Sequence, residues 1–528
     1  LSWRIQGLSE NHHLFQLSLN DHPLSSYDLG YTLGLTSTVT FDGQMLRPVN
    51  RLGIKLFSQN SAIGFDWFEL VYGRRLYAVD KQIIFYSTGY QGWTRFLVSG
   101  FIGQPPLIFD ITYPTQVTKL KGSLDDFAQG LVAVVDSLDS ARENRYLALT
   151  PDRFLSVTDL SSVPYDLDTH LKAASHQADY LIITHPSLLG PALEKFVAHR
   201  SRCSYWSDKV HPSIMAVTTQ QIYDQFSSGL VDPVAIRNFL KWSLVHWQQP
   251  PLYVLMVGAP TYDFKDHLSL GRPLLVPSFE IGNSVSDDWF VQLTNDRHMD
   301  MIIGRFPVDS EEELAVLVDK IVQYDEEAPL GNWRSRLILA ADDVFRKQDQ
   351  YAEDFIFLRD SEVLANDPAS DDFDLVKIYL ADYPWDRTFN KPLAQQALVN
   401  AFQQGALFIN FFGHANWNML THESLLRTPL HLPDLRNRDR LPVLYAGTCE
   451  IARIDDPHFD AMAEALLLYP EGGTIACIGS ARWNMHQASF NVSRAFYKNL
   501  FTPSLRGGLT IGQALTAAKI TAGFPDQT

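Results

Sequence analysis

The sequence predicts a β-rich N-terminal domain followed by an α/β region with mostly parallel sheets, and three observations predict it. Short runs in the first part of the chain alternate apolar and polar residues, while later apolar runs alternate with helical patterns. A chain of 528 residues also exceeds one hydrophobic core, which argues for roughly two to four domains.

The first region carries the period-two signature of strands in Ser37–Phe41, Arg75–Val79 and Gln82–Tyr86, separated by Gly and Asn turns. From Ala178 the texture changes. Tyr180–Thr184 reads as a buried strand and Pro191–Phe196 as a helical pattern. The alternation continues with strands at Leu252–Val257, Met301–Ile303, Arg336–Ala340, Leu375–Tyr379, Leu407–Phe412, Val443–Ala446 and Gly473–Ile478. Strands joined by helices imply parallel sheets with crossovers. Eight such strands exceed one compact half, and a helix over Glu311–Asp325 ends at Pro329-Leu330-Gly331-Asn332-Trp333, which suits a joint near residue 330. The expected division is 1–174 for the β-rich domain, 175–330 for a first α/β subdomain and 331–528 for a second. The chain opens at Leu1 without the charged and apolar regions of a signal peptide, as expected of a mature secreted product or an excised fragment. It stops just after a helical pattern at Thr510–Ala522, so any later domain lies outside this sequence.

Composition narrows the functions. With 46% hydrophobic and 20% charged residues, and Pro and Gly scattered along the chain, a folded globular protein is expected rather than a disordered one. A formal net charge of −17 without Lys/Arg clusters argues against nucleic acid as a partner and leaves proteins, peptides or glycans. Cys203, Cys449 and Cys477 cannot all pair with one another and lack CxxC spacing, so at least one thiol is free and neither zinc nor a dithiol redox site is indicated. No run approaches the roughly twenty apolar residues of a membrane-spanning helix.

In an open parallel sheet, functional residues collect beyond the carboxyl ends of the strands. Two strand ends stand out. Phe408–Phe412 runs through Gly413 into His414, and Val443–Ala446 runs through Gly447-Thr448 into Cys449. The two residues lie 35 positions apart, with Asn416–Arg440 as the connection, and adjacent strands would bring them together. A cysteine nucleophile needs a base for its proton and an acid for the leaving amine, and one imidazole performs both tasks. Taken singly, Cys449 reads as inert packing and His414 as a turn residue; the pair at consecutive strand ends favours chemistry.

Other signals have plainer readings. Asp287-Asp288-Trp289-Phe290 reads as an acidic turn before a strand rather than as calcium ligands. His12, His13, His422, His431, His458 and His486 lack ligand spacing and read as surface or satisfied histidines, so no metal or cofactor is expected. GxSxG, Walker A and GxGxxG motifs are absent. Arg482 and Trp483, after the strand ending at Ile478, are candidates to line a specificity pocket, as are Asn416 and Trp417, although packing explains the aromatic residues equally well. Arg482 in a pocket would favour acidic or polar residues before the scissile bond.

Several segments together resemble the gingipain family of cysteine peptidases. They are Phe411-Phe412-Gly413-His414, Gly447–Pro457 around Cys449, Ala463–Leu468 and Gly472–Ala476, supported upstream by Val217–Leu240, Pro251–Gly258 and Met301–Pro307. The likeness spans roughly residues 175–522. It implies a caspase-like three-layer αβα region of two subdomains and a cysteine endopeptidase acting through a thioester outside the cytoplasm, secreted or at the bacterial cell surface.

Position by position, the resemblance makes Cys449 the nucleophile, His414 the general acid/base and Asp300 the carboxylate facing the histidine. The backbone N–H groups of Cys449 and Ala415 form the implied oxyanion hole. Two positions depart from the family pattern. Ala415 stands where the family has Gly, which puts activity in doubt because a Cβ excludes some left-handed conformations. Gly258-Ala259-Pro260 lacks an aspartate that relatives carry after the glycine. The Asp455-Asp456-Pro457 and Pro470-Glu471-Gly472-Gly473 stretches are similar to type IX secretion sortases within this family. That implies an alternative activity, cleaving C-terminal signals from secreted cargo and transferring the product to an amine or lipopolysaccharide, with other secretion components as partners. A third reading is an inactive gingipain-like scaffold or binding protein.

Overall fold

The structure is a computed structural model that describes residues 1–9, 11–126, 131–138, 143–158, 170–202, 212–282, 284–296, 298–343, 355–501 and 508–522. Cys203 lies outside the described residues. The chain divides into two compact units, Leu1–Val163 and Pro164–Thr528.

The first unit is built from small antiparallel sheets. Strands Ser2–Gly7 and His12–Leu19 alternate inward and outward, so Trp3, Ile5, Phe15 and Leu17 meet in one core. A second core gathers Phe85, Phe96, Val134 and Tyr146. Gln82–Tyr86 is a strand, whereas the run expected at Ser37–Phe41 is a strand at Gly34–Thr38. Arg75–Val79 makes only isolated bridges, Tyr77 to Ser99 and Val79 to Gln82. The alternation is present, with Leu76 and Ala78 against the second core and Tyr77 and Val79 exposed, but among the described residues its backbone pairing stops at those two bridges.

The second unit holds two parallel sheets, whose strands are numbered here. The first sheet comprises β1 (Tyr180–Thr184), β2 (Ile214–Thr218), β3 (Tyr253–Val257) and β4 (Ile302–Phe306), in the order β2-β1-β3-β4. The second comprises β5 (Arg336–Ala341), β6 (Asp374–Tyr379), β7 (Phe408–Phe412), β8 (Val443–Gly447) and β9 (Ala476–Gly479), in the order β6-β5-β7-β8-β9. Every neighbouring pair within both sheets is parallel. The helices are α1 (Pro191–Arg200), α2 (Thr219–Phe226), α3 (Pro233–His246), α4 (Glu311–Glu326), α5 (Ile356–Ala365), α6 (Pro392–Gln404), α7 (Met462–Leu468), α8 (His486–Phe501) and α9 (Ile511–Ala522).

Continuous apolar strands are what a sheet covered on both faces requires. In β7 and β8, Ile409, Phe411 and Leu444 pack with Leu398 and Phe402 of α6 and with Met462 and Leu466 of α7. Their alternate neighbours Phe408, Phe412 and Tyr445 pack with Phe357 of α5, Phe496 of α8 and Ala514 of α9. The first sheet repeats the scheme, with Ile183 and Met256 toward α2 and α3 and Ile182 and Leu255 toward α1 and α4. Each half is therefore a three-layer αβα sandwich.

Ion pairs and caps join the halves. Lys320 of α4 is fully buried and donates to the carbonyls of Leu467 (2.7 Å), Gly472 (2.8 Å) and Tyr469 (3.1 Å), at and beyond the end of α7. Arg272 lies 3.0 Å from Asp309 and 3.1 Å from Glu464. The Asp287-Asp288 stretch is not a solvated turn: Asp287 pairs with Arg305 at 2.7 Å, and buried Asp288 pairs with Lys519 of α9 at 2.6 Å. Both carboxylates are structural because each meets a cation brought from a distant part of the chain.

Candidate active site

The second sheet aligns three strand ends. Ala341 of β5 is level with Phe412 of β7, and Phe412 is level with Gly447 of β8. Asp342 is the first residue past β5, His414 the second past β7 and Cys449 the second past β8. Parallel neighbours lie about 4.8 Å apart, so the three residues follow adjacent strand ends. From β5 the chain passes to β6 on one side and later returns to β7 on the other. The crevice of an open α/β sheet opens at such a reversal.

The carboxylate facing the histidine is Asp342. Its Oδ2 accepts from His414 Nδ1 and from the His414 backbone N–H, both at 3.0 Å, and its side chain is only 2% exposed. Gly413 makes this approach feasible, since a Cβ there would lie 2.5 Å from the Asp342 Cβ and 2.6 Å from the Phe411 ring. A buried carboxylate on Nδ1 requires the proton there and leaves Nε2 as the base. The imidazole stands edge-on to Phe357 at 5.3 Å and to His422 at 5.6 Å, and Thr421 N–H donates to the His414 carbonyl at 2.9 Å. At 35% exposure its side chain remains accessible.

This corrects the expectation for Asp300. Its Oδ2 accepts from the N–H groups of Leu293 (2.8 Å) and Thr294 (3.1 Å), closing a turn before β4. Asp300 therefore lies at the amino end of a strand, whereas His414 and Cys449 lie beyond carboxyl ends. The missed residue had a signal in the sequence: Leu339-Ala340-Ala341-Asp342-Asp343 places two carboxylates directly after an apolar strand.

Cys449 is pinned from the loop after β9. Asn484 N–H points at its Sγ at 3.3 Å, and Glu450 N–H donates to the Arg482 carbonyl at 3.1 Å. Glu450 adopts φ +52°, a left-handed conformation uncommon for a side-chain-bearing residue and held here by that bond and by its ion pair with Arg453 at 3.1 Å. Cys477 contrasts with it. Burial pushes the Cys477 thiol up to about 11, which leaves it protonated at neutral pH.

Ala415 lies in a two-residue strand with Asn416, level with Leu420 and Met419, and outside the left-handed region. Its Cβ therefore imposes no backbone penalty. Asn416 accepts from Asn418 N–H at 3.0 Å, and Trp417 stacks on Phe459 at 4.0 Å. Arg482 does not present a free charge to substrate, because its guanidinium holds Asp455 through bonds of 2.7 and 2.6 Å. The expected preference for acidic residues loses its basis. Trp483 is 83% exposed on the same loop.

Behind the histidine, carboxylate oxygens of Asp342, Asp343 and Glu423 lie within 4.8 Å of one another, all three side chains buried. Lys391, also buried, donates to Asp343 and to the Leu380 carbonyl. Neither Glu423 nor Asn484 is marked by any sequence motif.

Comparison with known proteins gives the fold and the family. The solved complex of Porphyromonas gingivalis RgpB pro- and mature domains is similar in fold at 20% identity and TM-score 0.51, over 65% of this chain and 74% of that one. The structure of the Arg-specific cysteine proteinase gingipain R, RgpB, matches at 19% identity and TM-score 0.50, over 66% of this chain and 76% of that one. Curated protein sequences give no significant match. Among the described residues no helix is long and apolar enough to cross a membrane. The model of peptidase family C25 matches residues 173–526, so the chain belongs to that family, the gingipain family of cysteine peptidases.

Proposed function

We propose that the protein is an endopeptidase that hydrolyses peptide bonds with Cys449 as nucleophile, His414 as general base and acid, and Asp342 orienting the imidazole. The observation that carries this reading is the row of Asp342, His414 and Cys449 on three adjacent, level strand ends, with Asp342 bonded to Nδ1.

His414 Nε2 takes the thiol proton as Cys449 Sγ attacks the scissile carbonyl carbon. The Cys449 and Ala415 N–H groups receive the developing oxyanion. Collapse of the tetrahedral adduct expels the amine, which takes the proton back from Nε2, and leaves a thioester on Cys449. Water, deprotonated by the same nitrogen, then releases the acid and restores the thiol. Asp342 stays ionised throughout and steadies the imidazolium. Asn416, Trp417 and exposed Trp483 border the same strand ends and supply contact surface for the peptide. The family resemblance supports action outside the cytoplasm.

The test is digestion of an unfolded protein substrate, with the products identified by mass spectrometry. Cleavage by the parent and its loss in both Cys449→Ala and His414→Ala is expected. Undiminished cleavage by Cys449→Ala would contradict the assignment.

A further inference from the structure

We propose that Glu423 is a positioning residue for the catalytic imidazole: as the third carboxyl of the buried cluster behind His414, it sets the negative charge that Asp342 presents to Nδ1. The inference rests on the reading of His414 as the general base and deepens it.

The segment that carries Glu423 is built around the histidine. Thr421 N–H holds the His414 carbonyl, and the His422 ring meets the His414 ring edge-on. Thr421 (φ +59°) and Ser424 (φ +56°) are both left-handed, a conformation that side-chain-bearing residues adopt only when their surroundings impose it. Those two bends bracket His422 and Glu423. One side chain packs on the imidazole, and the other meets the carboxylates behind it.

Among the described residues, the charges facing Glu423 come from three other elements. Asp342 and Asp343 follow β5, Lys391 precedes α6, and His414 follows β7, while His422 is its chain neighbour. Lys391 answers Asp343, and His414 as imidazolium answers Asp342. Among the described residues, a third carboxylate would then be buried without a counter-charge, at 2% exposure and with Oε2 lacking any hydrogen-bond partner. Burial, then the charges of Asp342 and Asp343, push the Glu423 carboxyl up to about 7. A proton resolves the imbalance at low pH. Above that range its loss adds negative charge beside Asp342, where it favours the imidazolium that Asp342 faces.

The readout is the imidazole itself. Full-length Cys449→Ala protein with ¹⁵N-labelled histidine is titrated by NMR from about pH 5 to about pH 9, with and without Glu423→Gln. The His414 signals are assigned by their loss in His414→Ala. The expected result is a His414 midpoint lower by about one pH unit in Glu423→Gln, with Glu423→Asp returning toward the parent. Glu423→Ser removes the same charge in less space and gives the same shift should the amide disturb packing. Midpoints that coincide, while Asp342→Asn moves the His414 midpoint, overturn the proposal. Because these proteins lack the nucleophile, this outcome is separate from failure of the peptidase reading, which shows as absence of cleavage by the parent.

Discussion

The two parallel sheets of the second unit are built alike and used differently. In both, apolar strands alternate their side chains toward two helical layers, and in both the chain leaves the strands at one common edge. At the edge of the four-stranded sheet, Thr218 caps α2 and Gly258 N–H bonds the Phe306 carbonyl, so those ends are absorbed in packing and helix entry. At the edge of the five-stranded sheet, Asp342, His414 and Cys449 follow three neighbouring strands. The architecture thus provides two edges, and the proposed chemistry uses the second. The four-stranded half is nevertheless tied to the other through Lys320, whose Nζ meets carbonyls at and beyond the end of α7.

The largest expected effect is on the active edge. Cys449→Ala lowers peptide cleavage by about ten-thousand-fold while leaving the unfolding midpoint unchanged, as measured by progress curves and calorimetry. Asp342→Asn lowers kcat by about a thousand-fold with KM nearly unchanged, because the amide can present the wrong hydrogen-bonding partner to Nδ1. Asp300→Asn sharpens the contrast: cleavage stays at the parent rate, and stability falls by less than about 1 kcal/mol, since the amide oxygen still accepts from the turn.

The tie between the halves is tested by stability. Lys320→Met removes the donor to the Leu467, Tyr469 and Gly472 carbonyls and lowers unfolding free energy by about 2–4 kcal/mol in denaturant titrations. A pH-dependent effect comes from Glu423. Its folded carboxyl titrates near 7, above the ordinary value of about 4.3. Between those values the folded protein keeps a proton that the unfolded chain releases, so this group's contribution to stability falls as pH rises through the window. The difference in stability between the parent and Glu423→Gln should therefore decrease by up to about 1.4 kcal/mol per pH unit there and level off outside it.

Much of the second unit was legible because its pattern is long-range and redundant. Tyr180–Thr184, Phe408–Phe412 and Val443–Gly447 are apolar on both faces, and helices separate them. The β-rich unit was harder, as at Arg75–Val79, where alternation was present and Leu76 and Ala78 meet a core, yet backbone pairing stops at isolated bridges. The strand ends alone mark Cys449 and His414 as candidates, and their roles come from the resemblance. Asp342 could have been found by the same rule applied to β5, whereas Asp300 was drawn from resemblance and lies at the wrong end of its strand. Arg482 illustrates a deeper limit. Its charge was visible in the sequence, but its pairing with Asp455 depends on two loops meeting in space. Glu423 was equally hidden, since its significance comes from carboxylates about eighty residues earlier.

The most direct test of the account is the rate at which iodoacetamide alkylates Cys449, located by mass spectrometry, in the parent and in His414→Ala and Asp342→Asn, with Cys477 as the internal reference. The account predicts that Cys449 reacts about a hundred-fold faster than Cys477 at neutral pH and that both substitutions slow it while Cys477 is unaffected. A Cys449 rate indifferent to His414 would contradict it.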